Sequence, residues 1–181
     1  HYPTKGIKIK YASKWWYNIQ DQNALLRSNL SMGIYQNIPN TGFTIATRMG
    51  GMVNIGNYRF FQANVLGGAG LFYNPEKDFF DEANFRGAST DRFSGRAVFY
   101  HNTDLRFKIW DVQSYVVPGQ FGAHLLFDYG NVWVNDSVSN LWQYGWGGGL
   151  WYNFYGNFLM NLSYGHSVNG SSFQLMTSFL F

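Results

Sequence analysis

A chain of 181 residues without a single cysteine excludes disulfides and thiolate metal sites, and its length suits one domain better than two. Charged residues make up 13% and aromatics 20%, and the net charge of +3 is modest. Nucleic-acid binding would need cations gathered on one exposed face with aromatic platforms and is not expected, and no run of about 18 apolar residues is present to form a transmembrane helix.

Apolar side chains are diluted evenly with polar ones, giving a mean hydropathy of −0.23. That balance fits strands alternating between lipid and lumen better than a packed core under a charged shell. The chain opens on His1-Tyr2-Pro3-Thr4-Lys5, which reads as the start of a mature or trimmed product. From Gly6 to Tyr17 the residues alternate: Ile7, Ile9, Tyr11 and Trp15 point one way, Lys8, Lys10 and Lys14 the other. A tilted strand of about 10 residues crosses a bilayer.

A second strand, Leu25–Ile38, sets Leu26, Leu30, Met32 and Ile34 against Arg27, Asn29, Ser31 and Gly33. Pro39-Asn40-Thr41-Gly42 supplies a tight turn into Phe43–Val53, where Phe43, Ile45 and Met49 oppose Thr44, Ala46 and Arg48. A long loop follows at about Ile55–Arg92. Loops of that length are uncommon unless functional or disordered. Near its end, Arg86-Gly87 places a permanent cation beside a residue that tolerates positive φ.

The fourth strand, Gly95–Ile109, turns Phe99, Leu105, Phe107 and Ile109 outward and Arg96, Tyr100, Asn102, Asp104, Arg106 and Lys108 inward. In the fifth, Gly119–Trp133, Phe121, Ala123, Leu125, Phe127 and Tyr129 face out, with His124 and Asp128 on the inner side. Leu141–Tyr155 carries Gly145, Gly147 and Gly149 inward, leaving room for something bulky against the wall. Phe158–Gly165 and a closing strand Ser172–Phe181, with Phe173, Leu175, Phe179 and Phe181 on one face, bring the count to eight. The expected fold is therefore all-β, an antiparallel transmembrane β-barrel with eight strands in this chain, forming a single domain over residues 1–181. Short turns at Pro39, Trp110–Pro118 and Tyr155-Gly156 then lie on the periplasmic side, and the long loop lies outside.

Several spaced motifs resemble the C-terminal half of the barrel in the bacterial surface antigen (BamA-TamA) superfamily. They are Leu66-Gly67-Gly68, Phe85-Arg86-Gly87, the Arg92-to-Phe107 stretch ending in Asn102-Thr103-Asp104-Leu105-Arg106-Phe107, Phe127-Asp128-Tyr129-Gly130-Asn131-Val132-Trp133, Ser163-Tyr164-Gly165 and the terminal alternating phenylalanines. The resemblance implies a loop latch in which Arg86 and Gly87 sit at the tip of an infolded loop and Asp104 and Asp128 receive the guanidinium from two strands. It also implies a non-enzymatic outer-membrane protein of a Gram-negative bacterium that acts in protein insertion or translocation, with outer-membrane lipid, client outer-membrane proteins or a second copy as partners, and no cofactor. The alternative is a narrow or plugged pore, or a structural barrel without insertase activity. Family barrels usually have sixteen strands behind periplasmic domains. This chain is accordingly either a compact form, alone or paired with a second copy, or a piece of a longer one.

Lys8, Lys10, Arg27, Arg48, Arg96, Arg106 and Lys108 are read as lumen-facing cations able to attract anionic solutes or an acidic part of a client. His101, Ser163 and Ser167 invite comparison with outer-membrane acyl hydrolases. No serine motif accompanies His101, and Asp104 falls on the opposite face, so catalysis is not expected. His1, His124 and His166 lack metal-ligand spacing with acids.

Overall fold

The computed structural model describes residues 3–20, 22–68, 83–88, 92–134, 142–181 and the backbone of 137–138. In chain order it contains β1 (Gly6–Asn18), β2 (Asn23–Ile38), β3 (Phe43–Gly56), a 3-10 turn at Phe60–Gln62, and a short pair, β4 (Asn64–Leu66) and β5 (Phe93–Gly95). There follow β6 (Ala97–Val112), β7 (Gly119–Val134), β8 (Ser137–Val138), β9 (Gln143–Phe154), β10 (Phe158–Ser167) and β11 (Gly170–Met176). Eight long antiparallel strands are hydrogen-bonded in the order β1-β2-β3-β6-β7-β9-β10-β11, with β8 added to the end of β7. β4 and β5 make a separate two-stranded ribbon where the long loop leaves and rejoins the sheet.

The two-residue rhythm of the sequence appears directly as burial. Along β6, Val98, Tyr100, Asn102, Asp104 and Arg106 are buried while the residues between them are half-buried, and β3, β7 and β10 alternate the same way. The exposed outer face carries Leu125, Phe127, Trp146, Leu150 and Leu162. The strands form where they do because β-branched and aromatic residues alternate between polar turn clusters. Tyr155 and Gly156 both take positive φ, 50° and 72°, as a type I′ hairpin turn requires.

Two boundaries differ most from the sequence reading, and β6 also runs on to Val112, into the stretch expected as a turn from Trp110. The segment expected to be a continuous loop begins only after Gly56 and contains β4 and the 3-10 turn. The expected closing strand stops at Met176, which divides its terminal phenylalanine signal. Phe173 and Leu175 stay on the outer face, with Phe173 65% exposed, whereas Phe179 and Phe181 turn onto the inner face and are buried with Leu180. The cause is chemical complementarity, since Phe179 and Phe181 find the guanidinium of Arg106 on that face.

The buried core is built between sheet and loop. One cluster joins Phe85, Leu66 and Ala88 of the loop to Met52, Val98, Tyr100 and Val132 of the wall. A second joins Tyr35 and Ala46 to Ala83, Met176, Leu180 and Phe181. At the other extreme, β1 is exposed or half-buried throughout, and neither β1 nor β11 has a neighbour on its far side among the described residues.

Candidate functional site

Register decides what Asp104 and Asp128 can do together. Asp104 pairs with Leu126, and Asp128 with Asn102, so the two carboxylates occupy diagonal positions on adjacent strands of the inner face. Diagonal neighbours stand about 7–8 Å apart, a gap that a planar guanidinium can span.

Arg86 fills that gap. Its Nη2 lies 2.6 Å from Asp128 Oδ1 and its Nε donates to Asp128 Oδ2 at 2.9 Å, while Nη1 reaches Asp104 Oδ1 at 2.5 Å. The Arg86 backbone N–H also donates to Asp128 Oδ2 at 2.7 Å. The second oxygen of Asp104 is held by Arg106 Nη2 at 2.9 Å. Two arginines and two aspartates thus neutralise one another, and all four are at most 2% exposed. Burial alone would lower the Arg86 pKa, but the charges of Asp104 and Asp128 outweigh it and raise the value above that of an ordinary arginine.

The loop backbone is seated as carefully as its cation. Gly87 adopts φ 95°, and a Cβ on Gly145 or Gly165 would run into the Arg86 carbonyl region or the Gly87 backbone. The inward glycines of β9 and β10 therefore admit the loop tip. Gly149 serves another purpose: it makes room for the His124 ring. Ser167 Oγ donates to the Gly87 carbonyl at 2.7 Å. Behind the tip, Arg48 Nη2 donates to the Ala83 carbonyl at 2.9 Å, Asn102 Nδ2 to the Asn84 carbonyl at 2.9 Å, and Asn84 Nδ2 to the Val65 carbonyl at 2.8 Å.

The cations read as lumen-facing fall into two groups. Arg48 and Arg106 are buried and engaged, Arg48 with Asn102 and the loop, Arg106 with Asp104 and the Phe181 carbonyl. They serve internal packing and do not present charge to a solute. Arg27 donates to Asn64 and Arg96 to the Asn54 carbonyl, both half-buried. Lys8 and Lys10 share the inner side with Gly33 and Ser31, Lys8 being exposed. Lys108 lies beside a bulge at the end of β6, exposed and paired with Asp111 at 3.0 Å.

His101 and Ser163 lie on opposite faces. His101 Nε2 is 2.8 Å from Thr47 Oγ1 on the outer side, and Ser163 meets His124 on the inner side at 3.2 Å. No Ser–His–acid arrangement forms around His101 among the described residues. A separate cavity of about 660 Å³, lined by Asn23, Tyr58, Phe60, Ser94 and Arg96 among others, shares no residue with the Arg86 site.

Sequence reasoning missed Arg106 as the second partner of Asp104, Arg48 and Ser167 as clamps on the loop, and Gly165 as part of its seat. Arg106 carried a signal: it follows Asp104 by two residues, so both point inward from the same strand. Ser167 carried none, since its partner is a carbonyl eighty residues away in the chain. Comparison with family profiles, with curated proteins and with solved structures returned no match to this chain.

Proposed function

We propose that this chain forms barrel wall in a bacterial outer membrane, as a non-enzymatic protein of the surface antigen (BamA-like) type that acts in outer-membrane protein insertion or protein translocation. The observation that carries the reading is Arg86, buried on a loop and bridging Asp104 and Asp128 of neighbouring strands. An arginine so placed fixes a long loop against the inner wall, where it controls what passes. The wide apolar outer face, with Leu125, Trp146, Leu150 and Leu162 exposed, agrees with acyl chains as its surroundings. The edges of β1 and β11, which have no neighbour among the described residues, agree with a seam at which a client strand is accommodated.

A second reading is favoured by one feature: the loop tip and residues 179–181 pack in buried clusters against the inner face. A plugged pore or structural barrel would look the same at rest. Reconstitution of the chain in liposomes separates the two. Insertion of a client barrel that rises with the amount of chain present supports the insertase, and solute leakage without insertion supports the pore. Arg86→Ala is expected to alter whichever activity is found and to expose the loop to added protease. Unchanged cleavage would remove the latch.

A further inference from the structure

We propose that the cavity beside the β4–β5 ribbon is a saccharide-binding site, which takes the pyranose rings of an oligosaccharide against Trp16, Tyr58 and Phe60. It draws on one end of the sheet, where β1 and β3 finish, β2 begins and Arg96 leads into β6. The main chamber, about 660 Å³, lies within the roughly 300–1,000 Å³ of small-molecule sites. A side chamber of about 170 Å³ shares Asn23, Asn57 and Tyr58 with it and adds Trp16, Asn18 and Gln62. In the shared wall, Asn57 Nδ2 donates to Asn23 Oδ1 at 3.1 Å. The site does not need the outer face to meet lipid, so its failure would leave the barrel reading standing.

Trp16 pairs with the buried Leu25, which makes it the only aromatic side chain that β1 turns inward. It is 40% exposed and Phe60 86%, so both rings keep surface for a ligand. The segment that carries Tyr58 and Phe60 is tied down. Gln62 Oε1 accepts from the Arg59 N–H at 2.8 Å, and Asn54 Nδ2 donates to the Gln62 carbonyl at 2.7 Å, which joins the 3-10 turn to β3. The cavity is therefore formed before a ligand arrives. Amide side chains of Asn18, Asn23, Asn57 and Gln62 line the two chambers, each offering a donor and an acceptor, as a sugar hydroxyl does. The aromatic rings beside them supply flat apolar surface for the C–H face of a pyranose. An acyl chain would strip water from those amides without replacing it. A bare phosphate would gain nothing from amide carbonyls, and Arg96 Nε already donates to the Asn54 carbonyl at 3.1 Å. Arg59 and Arg96 line the chambers while no carboxylate does among the described residues, so an acidic sugar is preferred to an amino sugar.

Equilibrium dialysis of the whole chain, held in a detergent without a sugar headgroup, measures binding of maltohexaose, oligogalacturonate and a glucosamine oligomer. Maltohexaose or oligogalacturonate is expected to bind, and the glucosamine oligomer more weakly than either. Trp16→Ala and Tyr58→Ala are each expected to weaken binding about tenfold, while Trp15→Ala, the outward neighbour, leaves it unchanged. Asn23→Asp keeps the acceptor for Asn57 and adds a carboxylate, so affinity for oligogalacturonate is expected to fall about tenfold relative to maltohexaose. An unchanged β-sheet spectrum reports that each variant folds. The sugar bound best is then carried on a glycolipid in vesicles that hold the chain: preference for this form assigns a lipid headgroup as the source, and equal affinity assigns a free glycan. Three results would overturn the site: no oligosaccharide bound at millimolar concentration, equal loss in Trp15→Ala, or binding of inorganic phosphate alone, which would make the cavity an anion site.

Discussion

Taking away the Arg86 guanidinium leaves two buried carboxylates with, among the described residues, Arg106 alone paired to one of them. Uncompensated buried charge is the costly case, so Arg86→Ala is expected to destabilise the fold by about 3–5 kcal/mol, read as a shift in denaturant midpoint. Arg86→Lys restores the charge but not the fork, because an ammonium cannot satisfy both Asp128 oxygens and reach Asp104 at once. It is expected to recover less than half of the loss. Gly165→Ala probes the seat without touching any charge: a Cβ there meets the Gly87 backbone, so the loop tip must lift. Increased protease cleavage near residue 86 with an unchanged β-sheet spectrum would report that movement, and wild-type resistance would count against the seat. Of this site, the sequence made legible the sides on which Asp104 and Asp128 lie, through strict alternation. Their meeting with Arg86 was visible only through a resemblance of motifs. The roles of Arg48 and Ser167 were not visible at all, because they bond main-chain carbonyls, which leave no residue signature.

Most strands were legible because they hide one face, and hiding one face writes a period of two into the sequence; β1 carries the same rhythm although it is exposed or half-buried throughout. β6 and β7 begin and end within about three residues of where that rhythm places them. The rhythm fails in the last ten residues. Ser172 to Phe181 alternates well enough, but alternation records only that every second side chain is greasy. It cannot report that Arg106 offers Phe179 and Phe181 a better partner than the outer face does. The same limit applies to the outer face as a whole, since exposed apolar side chains mean one thing in water and another in lipid. Leu125→Arg decides between them, Leu125 being 56% exposed near the middle of β7. In a bilayer the arginine is expected to cost about 2–4 kcal/mol near the midplane. On a water-exposed sheet the change would stay within about 0.5 kcal/mol. Urea unfolding from liposomes measures the difference, and a value at the lower figure would remove the membrane reading.

At the scale of the molecule, the unequal edges of the sheet constrain how it is completed. β1 has 13 residues and β11 has seven. In hydrocarbon each unpaired backbone group costs several kcal/mol, so an edge facing lipid must find a partner strand. If β11 of the same chain were that partner, at least six residues of β1 would be left over, the excess of 13 over seven. A second copy pairing β1 with β1 would match the lengths but bring Lys8, Lys10 and Lys14 near their own counterparts, where like charges repel. Neither of these two completions gives a tight seam along the whole of β1, a strand contributed by a longer chain being the third, and a loose seam is what the proposed strand-accepting role requires. The expectation is therefore that alternate amides of β1, those pointing away from β2, exchange with solvent faster than the amides bonded to β2, in particles of either one or two chains as weighed in detergent. Uniform protection along all of β1 in a particle of one chain would mean that the seam is sealed, and would leave the structural barrel as the better account of this protein.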